Sequence, residues 1–310
     1  MHIPIKTHSP LQLLQEPLFE DKKILVYLKR DDLIHPLVQG NKWRKLKYNL
    51  QEARLHRQNT LLTFGGPYSN HIYATAVAAR MFHFRSIGII RGEEPAHKSP
   101  TMLFAAQQGM ELHYMSREKY RLKDKPESIE SLHEQMGDFY HIPEGGTNQF
   151  AIKGTIEIVK EITIPFDYVA TAVGTGGTIA GIVAGIEEKQ QVIGFSSLKG
   201  ENTLTCKIQT LVKQFSGEQH NNFHLNFDYH FGGYAKVKPA LVEFINTFKT
   251  KHNIMLEPVY TGKMMYGLYD LISKDYFPKG SVIVALHTGG LQGLCGFENY
   301  FPGWSSEFFF

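Results

Sequence analysis

Lys42 stands behind Gly40 and Asn41 in the stretch Gln39-Gly40-Asn41-Lys42-Trp43-Arg44-Lys45-Leu46. A lysine at the start of a helix does chemistry when its free amine reaches a carbonyl and forms an imine. Taken alone, Lys42 reads more readily as part of a solvated basic face with Arg44 and Lys45. Its company changes that reading. Gly174-Thr175-Gly176-Gly177-Thr178 follows a strand and opens a helix. Glycines there let backbone N–H groups approach an anion, and the helix N-terminus adds partial positive charge.

The loop is no dinucleotide fingerprint, because Ile179 stands where a glycine is needed and no acidic residue lies near Phe195. Nor is it a P-loop, since no Gly-Lys-Ser/Thr follows. A tight βα turn is the alternative to an anion site. Gly65-Gly66-Pro67-Tyr68-Ser69-Asn70-His71 also runs from a strand into a helix. Its N–H groups with Ser69 and Asn70 suit a carboxylate, or Ser69 simply caps its own helix. Tyr260 in Tyr260-Thr261-Gly262-Lys263 can stack on a planar ring and present a hydroxyl, or be an ordinary half-buried tyrosine. Thr288 follows the last strand, at the carboxyl end where α/β sheets meet ligands; otherwise it is a turn threonine.

Other catalytic patterns are missing from the sequence: no HExxH, no GxSxG elbow, no clustered Cys/His set. No metal is expected. His220, His224 and His230 read as surface residues.

The elements that must position these residues alternate between strand-like and helix-like, which argues for α/β layers with a largely parallel sheet. Strands are expected over 24–29, 61–64, 86–91, 111–115, 168–173, 192–196 and 282–286. Helices are expected over 41–55, 69–81, 100–108, 129–136, 149–162, 177–186, 203–215, 239–252 and 263–274. No Pro/Ser-rich linker divides the chain, so a second domain is expected as an insertion. The interval 46–155 reads as the smaller domain, with 1–45 and 156–310 forming the larger.

At 310 residues, 42% apolar and 20% charged, the chain can bury a sizeable core. The formal charge of +3 comes from interspersed residues, which gives nucleic-acid binding little support. Cys206 and Cys295 share no CxxC spacing and suit a reduced compartment. Residues 1–10 lack the apolar run of a secretory signal, and no apolar stretch approaches membrane-spanning length. A cytoplasmic protein with no membrane partner is the expectation.

Taken in order, from Lys29-Arg30-Asp31-Asp32 through Gly40-Asn41-Lys42-x-Arg44-Lys45, Ser69-Asn70-His71, the 174–178 loop and Pro258-Val259-Tyr260-Thr261-Gly262-Lys263 to His287-Thr288-Gly289-Gly290, these segments resemble one enzyme group. It is the pyridoxal-phosphate enzymes of the tryptophan-synthase-β type (fold type II). The match is nearest the branch of D-cysteine desulfhydrase and 1-aminocyclopropane-1-carboxylate deaminase.

The resemblance implies pyridoxal 5'-phosphate as cofactor, a small amino acid as substrate and a homodimer. Lys42 would be the Schiff-base lysine. Lys45 with Gly174, Thr175, Gly176, Gly177 and Thr178 would hold the phosphate. Asn70 would touch the ring oxygen and Tyr260 would stack near the pyridine ring. Ser69, with Tyr68, Asn70 and His71, would face the substrate.

The deaminase carries a glutamate after the tyrosine, where this chain has Thr261. A hydroxyl does not stabilise a protonated pyridine nitrogen as a carboxylate does. Thr261, with Thr288 nearby, therefore favours β-elimination to a 2-oxo acid and ammonia, as in the desulfhydrase. The cyclopropane deaminase is the first alternative. A β-replacement synthase and a non-catalytic cofactor-binding protein follow. Tyr68 replaces a glutamine of the relatives, a change at the expected substrate pocket of the kind that switches substrate while keeping the chemistry.

Overall fold

The computed structural model describes residues 5–6, 8–200 and 203–308, with the side chain of Glu307 left out. Ten strands are present among them: β1 Leu11–Leu14, β2 Leu25–Lys29, β3 Thr60–Gly65, β4 Arg85–Arg91, β5 Met110–Met115, β6 Tyr140–Ile142, β7 Tyr168–Val173, β8 Gln191–Ser196, β9 Phe223–Asn226 and β10 Val282–Leu286. They form two sheets. The larger has the order β1-β2-β10-β7-β8-β9 and the smaller β5-β4-β3-β6. Every pairing is parallel except β1 with β2.

Parallel strands covered on both faces must be apolar on both, and β3, Thr-Leu-Leu-Thr-Phe-Gly, is buried at all six positions. All strands of the smaller sheet lie between Thr60 and Ile142, inside the interval read as an inserted domain. The larger sheet has a core on each face. One contains Phe195, Leu241, Ile245, Met264 and Leu268 from the sheet and the helices Pro239–His252 and Thr261–Ser273. The other contains Val173, Ile182, Ile208 and Val284, with the helices Gly177–Gly185 and Thr203–Ser216.

Helix Gly40–Leu55 packs against helix Gln149–Thr155 at very close range. A Cβ on Gly154 would lie 1.9 Å from the Arg44 carbonyl oxygen, so only glycine permits the approach. The helix expected over 149–162 is two pieces, Gln149–Thr155 and Glu157–Lys160. At the junction the Thr155 hydroxyl turns back to the carbonyls of Ala151 and Ile152 and reaches across to Gly177. Such side-chain bonding competes with the helix's own ladder. Strands β1, β6 and β9 and the helices Pro17–Lys22 and Arg117–Tyr120 lie outside the elements expected from sequence.

Candidate active site

Loops at the carboxyl ends of β3, β7, β8 and β10 surround a cavity of about 640 Å³. Its wall brings together Lys42, Lys45, Tyr68, Ser69, Asn70 and His71 with Gly174, Thr175, Gly176, Thr178, Tyr260 and Thr288. These come from segments more than 200 residues apart in sequence.

Lys42 is in the first turn of helix Gly40–Leu55. That helix starts where it does because Gly40 adopts φ +51° and lies against the end of β10; a Cβ there would meet the Thr288 carbonyl oxygen at 2.1 Å. Burial pushes the Lys42 amine down to about 8, with Glu257 opposing. A useful fraction is therefore neutral and nucleophilic near physiological pH.

The basic face anticipated around Lys42 is instead inside the protein. Arg44 is 2% exposed and donates to Asp31 at 2.6 and 2.9 Å and to Glu161 at 2.7 and 2.8 Å. Lys29 adds a 2.7 Å bond to Glu161, and Ser9 donates to Asp31. Burial works against the Glu161 charge, but hydrogen bonds and charge from Arg44 and Lys29 prevail and hold it at about 2. This network fastens the lysine-bearing helix to β2 and to the segment after Glu157–Lys160.

Lys45 is different. Its ammonium donates to the Gly145 carbonyl at 3.0 Å and the Thr147 hydroxyl at 3.4 Å, with no carboxylate partner among the described residues. Burial, then Lys42 and Lys207, lower its pKa. A buried cation in such company is suited to an anionic ligand. The adjacent loop supplies the rest of a cradle. Gly176, at φ +92°, is the N-cap of helix Gly177–Gly185, with no side chain capping the first turn. A Cβ on Gly177 would lie 3.1 Å from Lys45 Nζ, which keeps that approach clear. Gly177 itself is beneath the wall rather than in it. Asn41 donates to Thr178 Oγ1 at 2.9 Å, leaving the Thr178 proton for another acceptor.

Ser69 does act as a cap: its oxygen accepts from the N–H groups of His71 and Ile72 at 3.2 and 3.3 Å. Its hydroxyl proton remains for the cavity. His71 is 2% exposed and its Nε2 pairs with Thr63 Oγ1 at 2.8 Å. Since Thr63 donates to the Ile142 carbonyl, His71 Nε2 must carry a proton and Nδ1 a lone pair. Burial, with Lys42 and Lys45 nearby, lowers its pKa and keeps the ring neutral. Tyr68 is half-exposed at the lip, its ring beside Gly296.

Tyr260 precedes helix Thr261–Ser273 and lies against Gly174, where a Cβ would be 3.1 Å from the ring. Its ring meets that of Tyr234 edge-on, centroids 6.1 Å apart. The expectation for Thr261 is corrected. Thr261 is fully buried, does not reach the cavity, and donates its hydroxyl to Glu257. That carboxylate also accepts the N–H groups of Val259, Tyr260 and Thr261 at 2.8, 2.9 and 2.6 Å. A strong acceptor one turn back draws the hydroxyl away, so Thr261 fixes the turn that presents Tyr260. Thr288, by contrast, does line the cavity. Lys263 is also away from it, donating to the His230 and Gly233 carbonyls and so tying down the loop before Tyr234.

Sequence reasoning missed Arg91, Glu144, Lys207 and Tyr234, which also line the cavity. Arg91 ends β4, Glu144 and Tyr234 are in the turns outside the main elements, and Lys207 is inside helix Thr203–Ser216; none has a motif around it.

Three comparisons bear on this arrangement. Residues 7–289 match the family model described as pyridoxal-phosphate dependent enzyme. A putative 1-aminocyclopropane-1-carboxylate deaminase of Pyrococcus furiosus is 32% identical over 284 residues, covering 86% of this chain and 85% of that one. A bifunctional D-cysteine desulfhydrase/1-aminocyclopropane-1-carboxylate deaminase of Arabidopsis thaliana, a mitochondrial protein, is 32% identical over 87% of this chain and 73% of its own. Among solved structures, one described as an ACC deaminase homologue superposes with a TM-score of 0.85 at 30% identity, covering 97% of this chain and 94% of its own. The α/β architecture of two parallel-rich sheets is that of the fold type II enzymes.

Proposed function

The chain belongs to the pyridoxal-phosphate dependent enzyme family, and on that premise we propose that it is a lyase eliminating a β-substituent from a small amino acid, as D-cysteine desulfhydrase does. The observation that carries the reading is one cavity holding a partly neutral lysine, Lys42, beside a buried lysine, Lys45, without a carboxylate partner among the described residues. The uncapped helix turn after Gly176, the clear approach over Gly177 and the flat Tyr260 ring fit the cofactor's phosphate and pyridine.

Bound pyridoxal phosphate supplies a carbonyl for amines and a ring that withdraws electrons from the substrate's α-carbon. Lys45 Nζ, the Thr178 hydroxyl and the N–H groups after Gly176 would hold its phosphate. Asn70 Nδ2 would donate to the ring oxygen, Tyr260 would cover the ring, and the Thr288 hydroxyl would serve its nitrogen. The Ser69 hydroxyl, its oxygen already occupied by two N–H groups, donates its proton to the substrate carboxylate. Lys42 Nζ takes the proton from the substrate's α-carbon.

Leaving-group preference follows from the polar groups at hand. Glu144 is the one carboxylate among the described cavity-lining residues, and it is held by Lys123 at 3.1 Å. A neutral threonine at the ring nitrogen makes a weaker electron sink than a carboxylate, adequate for expelling a thiolate and poorer for opening a cyclopropane. The relatives' names nevertheless favour the cyclopropane substrate as the second reading.

Purified protein supplied with pyridoxal phosphate should convert D-cysteine to pyruvate, ammonia and sulfide faster than it forms 2-oxobutanoate from the cyclopropane amino acid. Turnover of the cyclopropane alone would establish the second reading, and no oxo acid from either would defeat both. No helix among the described residues is long and apolar enough to cross a membrane. A homodimer working in the cytoplasm completes the proposal, tested by sedimentation velocity and by fractionation.

A further inference from the structure

An amide side chain donates at one end and accepts at the other, so its orientation decides what it can bind. At Asn70 that orientation is set from behind the cavity wall. Gln292 Nε2 donates to Asn70 Oδ1, and Gln292 Oε1 accepts from the Thr101 hydroxyl at 3.0 Å. Gln292 is 3% exposed and Thr101 fully buried, so neither can turn to water instead. Asn70 Nδ2 then lies over Gly290, a cavity-lining residue at φ +82° whose added Cβ would be 2.4 Å from that nitrogen. The segment bearing Gln292 is itself pinned: the Leu291 N–H donates to Gln39 Oε1 at 3.0 Å, and Gln39 immediately precedes helix Gly40–Leu55.

We propose that Gln292, backed by Thr101, is a positioning residue that locks Asn70 as a hydrogen-bond donor to an oxygen anion in the cavity. On the function proposed above, with which this inference stands, that oxygen is the cofactor's ring oxygen. Glutamate at 292 has only acceptors when ionised. It takes one bond from Thr101 and forces Asn70 to turn its NH2 backwards, so that Oδ1 faces the anion. A donor replaced by an acceptor at a charged oxygen loses at least one charge-assisted hydrogen bond, or about tenfold in affinity.

The test titrates pyridoxal phosphate into the apoprotein of wild type, Gln292→Glu, Asn70→Ala and the double variant, following the visible band. At pH 8 Gln292→Glu should weaken binding at least about tenfold, and the double variant should bind no worse than Asn70→Ala, because Gln292 acts only through Asn70. Lowering the pH to 6 should narrow the gap between Gln292→Glu and wild type, as the buried carboxyl regains a proton and can again donate to Asn70 Oδ1. Cys295, 3.9 Å from Thr101 and pushed by burial up to about 11, is silent across that range.

Gln292→Met, similar in volume and without hydrogen bonds, should show an intermediate loss with unchanged circular dichroism, and stands in if the glutamate variant does not fold. Losses that multiply in the double variant, or wild-type affinity in Gln292→Glu or Gln292→Met, would overturn the role of Gln292. Wild type failing to bind the cofactor at all would instead remove the function on which it stands.

Discussion

Replacing Arg44 with methionine removes the cation that two buried carboxylates share, while keeping much of its side-chain length. Arg44 makes four bonds of 2.6 to 2.9 Å to Asp31 and Glu161, whose side chains are 0% and 7% exposed. Glu161 is held at about 2 against an ordinary 4.5, which corresponds to about 3 kcal/mol. Discounted for the solvent that still reaches its rim, this is about 2–3 kcal/mol. Breaking a buried pair by removing one partner costs about 3–5 kcal/mol, so the two routes meet near 3 kcal/mol.

Lys29 softens the loss, being 2.7 Å from Glu161, but stands 3.8 Å from Asp31. Urea unfolding of wild type and Arg44→Met at pH 7 should show the unfolding free energy fall by about 3 kcal/mol, with a lower midpoint at unchanged slope. The sign with pH is fixed. A carboxyl depressed in the folded state contributes stability above its unfolded value of about 4.5 and loses it on acidification toward 2. The gap between the two proteins should therefore be full at pH 7 and narrow below about pH 4.5. A deficit under about 1 kcal/mol at neutral pH, or one that widens on acidification, would refute the network's role in holding the lysine-bearing helix.

Three further outcomes concern the site itself. Because burial brings the Lys42 amine to about 8, the neutral fraction rises about tenfold between pH 7 and pH 9. Stopped-flow capture of pyridoxal phosphate by apoprotein should accelerate accordingly, and a flat profile would count against Lys42 as the capturing amine. Thr261→Val should lower stability by about 1–3 kcal/mol through the lost bond to buried Glu257 while leaving the visible band of bound cofactor in place. Thr288→Val should move that band; the reverse pattern would restore Thr261 to the ring nitrogen.

The sequence made the parallel strands and the helices between them legible, because buried runs such as Val282–Leu286 and Tyr168–Val173 have few other uses. Strands β1, β6 and β9 escaped notice, being three or four residues long with too little alternation to read. The glycines of the motifs were readable, because Gly40 and Gly176 answer to backbone demands visible in the sequence: a helix start and a turn. What stayed hidden depends on distant partners. Nothing near Arg44 announces Asp31 and Glu161, and nothing near Asn70 announces Gln292, 222 residues away. Thr261 shows the limit from the other side. Its place after Tyr260 suggested a ring contact, but a carboxylate four residues earlier claims its hydroxyl.

The central claim is that Lys42 joins pyridoxal phosphate in a cradle made by Lys45 and the 174–178 loop. Its most direct measurement is the absorption spectrum of wild type and Lys42→Ala after equal exposure to the cofactor and removal of the free excess, followed by borohydride reduction and peptide mass analysis. Wild type should retain a visible band before reduction and, after it, a mass increase on the peptide containing Lys42. Lys42→Ala should show neither, with its fold intact by circular dichroism. An unchanged band in the alanine variant, or reduction that labels a different lysine, would contradict the account.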